Sequence, residues 1–187
     1  MTMKKLIFIA SILLIFSFRI DNENFQKLKL NGFDYLLAKN ISCKSAPEFM
    51  SMTTANKIPL AFFTEETADT ADISTAERIL KKDLEKYLND QLKKGDTTTD
   101  LHKFLVSENK DAYQSIKDHV RQVKTFVSNK KRYMYLNLFC KYTTIKNDED
   151  LQIKYWVDAD DGYKCFWQMI IDLTEKKIIC AQHNGMA

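Results

Sequence analysis

The side chains able to do chemistry are few: four cysteines, three histidines, one acidic turn and a scatter of aromatics in a chain of 187 residues. Cys43, Cys140, Cys165 and Cys180 include no CxxC pair, which removes the main support for a zinc ribbon or a thioredoxin-like redox motif. Four cysteines permit two disulfides in three connectivities. The alternative is buried thiols acting as small hydrophobes. His102, His119 and His183 contain no pair at metal-ligand spacing, and His119, three residues after Ile116, reads as a helix-surface residue. Spacing gives no support to a nucleophilic Cys and His pair. Nothing marks a phosphate loop or paired catalytic carboxylates, so no cofactor is expected and no catalytic residue is named.

Two further features suggest binding. The stretch Asp158-Ala-Asp160-Asp161-Gly162 is oxygen-rich, as a calcium loop would be. An EF-hand has acids at positions one, three and five with glycine at six, whereas here they fall at one, three and four with glycine at five. A tight turn needs the same residues, and that reading is preferred, with Asp158, Asp160 and Asp161 kept as a calcium candidate. The aromatics Trp156, Phe166 and Tyr163 are the candidate ligand or partner surface, because strand alternation puts Trp156 and Phe166 on the face opposite the cleanest apolar stripe.

The elements that must position these residues start with an export signal. Lys4 and Lys5 precede an apolar run from Leu6 to Phe18, roughly 13 residues against the 20 or so that span a bilayer. Residues 1–20 are therefore expected to be a signal peptide, and residues 21–187 a single domain destined for secretion or the periplasm. Membrane contact is expected only through that signal if it stays uncleaved. Its removal takes away Lys4, Lys5 and Arg19 and no acid, so the net charge falls from +3 to zero. A neutral chain without blocks of like charge is not expected to bind nucleic acid.

Between Asp21 and Met52, Phe25, Leu28, Leu36 and Leu37 suggest one or two short helices interrupted at Asn31 and Gly32. Ile58 to Thr64 reads as a buried strand or extended connection, restricted by Pro59, and Thr64 to Asp72 as a loop. Ile73, Ala76, Leu80, Leu84, Tyr87, Leu88 and Leu92 recur at helical spacing, with a capping box at Ser74 and Glu77 and a stop at Gly95. A second long helix is expected from Ser107, its stripe formed by Ala112, Tyr113, Ile116, Val120, Val123 and Val127. The period then changes to two, giving strands at 132–144, 151–158, 163–173 and 177–183 joined by short turns. The expected fold class is α+β: N-terminal helices followed by a C-terminal four-stranded antiparallel meander curled over the long helices.

That order, together with the ending Trp167-Gln-Met-Ile-Ile-Asp-Leu-Thr-Glu-Lys-Lys-Ile178, resembles the cystatin-like and NTF2-like α+β rolls over residues 73–183. The cystatin inhibitor motif Gln-x-Val-x-Gly is absent, and the resemblance implies a fold without residue roles. The function expected is a small exported binding protein without catalysis and with an unidentified protein or small ligand as partner. Two alternatives stand beside it. One is an NTF2-like enzyme or ligand carrier with a pocket between helix and sheet, the other an exported inhibitor or immunity protein.

The meander also makes statements about register. If Leu173 faces Ile178, then Cys180 faces Ile171 and lies about 20 Å from Cys165, outside the 4.4–6.8 Å Cα separation of a disulfide. Cys140 and Cys165 are expected two strand spacings apart, about 10 Å, which leaves Cys43 as the mobile partner. The charge-free stripe Cys165, Trp167, Met169, Ile171 and Leu173 should pack on the long helix. Trp156 should lie toward solvent.

Overall fold

A computed structural model describes residues 23–94, 106–107, 109–110, 112–141, 152–158 and 165–183. The segment expected to hold short helices opens instead with a hairpin, β1 (Phe25–Leu30) and β2 (Phe33–Ala38). Asn31 and Gly32 both take positive φ, 52° and 86°, as a two-residue turn matched to strand twist requires, so the residues that break a helix here make a hairpin. A 3₁₀ turn at Cys43–Ser45 and a short helix α1 (Phe49–Ala55) follow. Of the Ile58–Thr64 stretch only the end joins a strand, β3 (Thr64–Glu66).

The long helix α2 runs Thr70–Leu92. Its capping box is Asp69 with Asp72, one turn ahead of the Ser74–Glu77 box expected from sequence. Ile73, Ala76, Ile79, Leu80, Leu84 and Leu88 form its buried stripe. The second long helix is not formed. Ala112–Ser115 makes one turn, α3, and from His119 the chain is strand β4 (His119–Ser128), paired along its length with β5 (Lys131–Cys140). Nine of the ten β4 residues are buried, so both faces are apolar or internally bonded. A strand covered on both sides loses its alternation, and Val120, Val123 and Val127 then fit a helical period by coincidence while their β-branching favours the sheet.

β6 (Phe166–Asp172) and β7 (Lys177–His183) complete a seven-stranded mixed sheet of order β1-β2-β4-β5-β6-β7, with β3 on β4. This corrects the helices-first, four-stranded antiparallel expectation. β2 pairs parallel with β4 over residues 121–123 and β3 pairs antiparallel over 125–127, so two strands from opposite directions share one edge of β4. Lys124 stands at their junction, its Nζ donating to the carbonyls of Ala38 (2.9 Å) and Lys39 (3.1 Å) where β2 ends. The expected strand at 151–158 is absent from the sheet. Its described part, 152–158, lies across one face.

Both faces are covered. Against one packs α2, burying Val123, Met134, Leu136, Leu138, Trp167, Met169 and Ile171. Trp167, Met169, Ile171 and Leu173 therefore meet the long helix as expected, whereas Cys165 of the expected stripe packs against the other cluster. Against the other face pack Cys43, Phe49, Met52, Ile58, Ile153, Trp156 and Val157, over Phe126, Tyr135, Phe139, Phe166 and Ile170. Trp156 is only 7% exposed and its indole N–H donates to the Ser42 carbonyl, so its expected place toward solvent is corrected. Alternation misassigned it because residues 152–158 are not a strand.

Candidate functional site

The cysteines are the first departure from expectation. Cys140 and Cys165 form a disulfide with Cα atoms 4.8 Å apart. The expected two-strand separation fails because no strand from 151–158 intervenes: β5 pairs directly with β6, and Phe139 faces Phe166 one step before the bridge. Cys43 and Cys180 are buried and unbridged. Burial raises the Cys180 thiol to about 12 and pushes Cys43 well above its usual value, the latter reinforced by the Glu65 carboxylate that accepts from its thiol. Both are poor nucleophiles at neutral pH. The β6–β7 register also differs: Ile170 faces Cys180 and Ile171 faces Ile178, leaving Ile179 as an extra residue in the edge strand.

His119 is buried in β4 rather than on a helix surface, directly across from Cys140, with Nε2 3.7 Å from the Cys140 sulfur. Two residues on, Arg121 is fully buried. Its Nε donates to Glu77 at 2.6 Å and its Nη1 to the His119 carbonyl at 2.6 Å, while the guanidinium lies 4.1 Å from the centre of the Phe33 ring. Glu77, reaching down from α2, also accepts from Tyr35 (2.7 Å) and Tyr113 (3.2 Å). Burial, then the Glu77 carboxylate, raises Tyr113 to about 12 and Tyr35 further. One carboxylate thus gathers three donors from β2, α3 and β4 beneath the long helix.

On the opposite face the ladder carries a row of amides: Gln122 faces Asn137, Asn137 faces Gln168, and Gln168 faces Gln182. Gln122 grips residues 152–157 as a neighbouring strand would. Its Nε2 donates to the carbonyls of Gln152 (3.0 Å) and Tyr155 (2.7 Å), and its Oε1 accepts from the Val157 N–H (2.8 Å). Asn137 donates to Gln122 (2.9 Å) and to the Val157 carbonyl (2.6 Å). Sequence reasoning missed this row. Part of the signal was there, since Asn137 and Gln168 interrupt two otherwise apolar runs.

Of the expected surface residues, Trp156 and Phe166 are buried in one cluster and Tyr163 lies outside the described residues. Asp158 is exposed, whereas Asp160 and Asp161 of the calcium candidate, His102, Gly95 and residues 1–20 also lie outside them. Among the described residues no three His, Cys, Asp or Glu side chains converge on a metal position. What reaches solvent instead is Pro59-Leu60-Ala61-Phe62-Phe63, five consecutive apolar residues of which none is fully buried. Phe62 is 80% exposed. Phe63 turns inward onto Phe126 and Phe49, with ring centres 5.2 and 5.9 Å away, and the Ser128 hydroxyl ties down the Pro59 carbonyl. A cleft of about 560 Å³ lies elsewhere, at the hairpin base between Glu23, Gln26, Lys39 and Asn40.

No family model, curated protein or solved structure matches this chain.

Proposed function

We propose that the chain is an exported protein that acts by binding another protein through the Pro59–Phe63 segment. The observation that carries this reading is the exposed apolar run. Pro59, Ala61 and Phe62 are exposed while Leu60 and Phe63 pack inward, and apolar side chains held in water in this way generally mark contact surfaces. Here the run is anchored at both ends, by Pro59 to Ser128 and by Phe63 to the aromatic cluster, so Phe62 is presented by a fixed frame. Preorganisation of this kind lowers the entropy lost on association. The alternative with a pocket between helix and sheet finds less support, because that interface is filled by the α2 stripe and Trp167.

Export is supported by two features. Lys4, Lys5 and the apolar run to Phe18 have the pattern of a signal, and the chain holds an internal disulfide, a bond that persists mainly in oxidising compartments. Among the described residues no helix is long and apolar enough to cross a membrane.

Affinity capture with the full chain from native envelope and medium tests the reading, with Phe62→Ser as the matched control. The expected result is a protein retained by the wild type and lost with Phe62→Ser, and N-terminal sequencing of the exported chain should begin near residue 20. Equal capture by both, or an intact Met1 in the cytoplasm, would overturn it. A captured protease or toxin would specify the inhibitor or immunity role.

A further inference from the structure

The bridge between Cys140 and Cys165 is not enclosed in the core. Both cysteines are partly exposed, unlike the buried Cys43 and Cys180. The two sulfurs are also not equivalent. Cys140 closes β5 and faces His119, whose Nε2 lies 3.7 Å from its sulfur, whereas Cys165 precedes β6 and meets no histidine ring among the described residues. A disulfide sulfur carries no proton, so in this contact the imidazole N–H is the donor and Cys140 the acceptor. The cations bonded or adjacent to this pair are each matched by a carboxylate. Arg121 is bonded to the His119 carbonyl, and Lys141 follows Cys140 in sequence. Asp34, paired to Lys141 at 2.9 Å, and Glu77, paired to Arg121, are the opposing acids, each already engaged by a cation.

We propose that Cys140–Cys165 is an exchangeable disulfide that reacts with a dithiol, with Cys165 as the sulfur attacked and Cys140 as the sulfur that leaves. The dithiol's thiolate forms a bond to Cys165 Sγ as the Cys140–Cys165 bond breaks. The departing electron pair stays on Cys140 as a thiolate that accepts the His119 Nε2–H as a hydrogen bond, and solvent later protonates it. The second thiol of the reductant, deprotonated, then attacks the mixed disulfide, releasing Cys165 as a thiolate and leaving the dithiol as its cyclic disulfide. Two electrons pass from the dithiol to the protein, and its two protons end on the cysteine thiols by way of solvent. The direction follows from exchange chemistry, in which the less basic sulfur is the better leaving group. Cys43 and Cys180 offer a contrast: both are buried, and the Cys43 thiol meets the Glu65 carboxylate rather than a ring nitrogen.

The test is to stop the reaction at its first step with a monothiol. The full mature chain, folded and oxidised, is incubated with reduced glutathione, quenched in acid, alkylated and mapped by mass spectrometry. Glutathione is expected on Cys165 and the alkyl label on Cys140, in a ratio of about three- to tenfold, the span that one or two units of leaving-group basicity give at a Brønsted slope near one half. Cys43 and Cys180 should stay unlabelled, which verifies that the fold is intact. His119→Gln should keep the bridge and bring the ratio close to one. A wild-type ratio of one or below, or a bridge that forms no adduct while an unstructured disulfide peptide does, would overturn the proposal. Should His119→Gln fail to fold, the wild-type ratio alone decides.

Discussion

Arg121 is a guanidinium with no access to water, and the groups that offset its desolvation are Glu77, the His119 carbonyl and the face of Phe33. A buried pair of this kind is costly to break from one side, since the survivor keeps its charge and loses its partner. Glu77→Ala should therefore destabilise the chain by about 3–5 kcal/mol, while a double change of Arg121→Met and Glu77→Leu should cost less than the single one. Denaturant titration of both variants checks this ordering. The tryptophans give a second test at the same scale. Trp167 and Trp156 sit on opposite faces of the sheet and are 4% and 7% exposed. Each truncation to alanine should cost about 3–5 kcal/mol, where the alternation argument assigned that loss to Trp167 alone. A Trp156→Ala variant as stable as wild type would mean that residues 152–158 do not dock on the sheet.

At the scale of elements, residues 152–158 take the place of a strand without joining the sheet. The amides of Gln122 and Asn137 satisfy this backbone, so Gln122→Leu should strand the Val157 N–H and two carbonyls at a cost of at least about 3 kcal/mol. Hydrogen exchange at Val157 should accelerate with it, and unchanged protection would argue against the grip. What the sequence made legible follows the strength of each local signal. The α2 stripe and the β7 span were readable because one face of the helix and one turn each had a clear period. Asn31-Gly32 was a hairpin signal read as an interruption. β4 was read as a helix because its burial on both faces erases the period of two, and the disulfide was misjudged because the position of 151–158 was wrong. The surface site was illegible for another reason: nothing in Phe62-Phe63 says which ring turns in until Phe126 and Phe49 are in place.

For the whole molecule, two conditions probe stability. Burial raises five tyrosines above their usual pKa, Tyr113 to about 12 with help from Glu77, and Tyr35, Tyr87, Tyr133 and Tyr135 likewise upward. A raised acid is held neutral by the fold, so its contribution is fully present below the unfolded value near 10 and is lost as pH rises toward the folded value. Unfolding should therefore set in between about pH 10 and 12, with tyrosinate absorbance rising in the same step. Tyrosinates appearing well before the loss of structure would contradict this. Reduction is the second condition. The bridge closes a loop with a sequence separation of 25, and chain entropy assigns such a loop about 3–4 kcal/mol. The reduced chain should lose roughly that much, with faster exchange across 152–158, which lies inside the loop.

The shared edge of β4 also sets a schedule. Lys124 and the Ala38 carbonyl it caps are 86 positions apart, and at 5–20 residues per second the ribosome delivers one about 4–17 s after the other. Through that interval the β1–β2 hairpin has no neighbouring strand, and a lone two-stranded hairpin is marginal in water. Tyr35 and Leu37 emerge well before the α2 residues that cover them, and the hairpin has no sheet to join until β4 is made. Under the export reading, this lag keeps the chain threadable: the topology postpones folding until most of the polypeptide has been made, the state a translocation channel requires of its cargo.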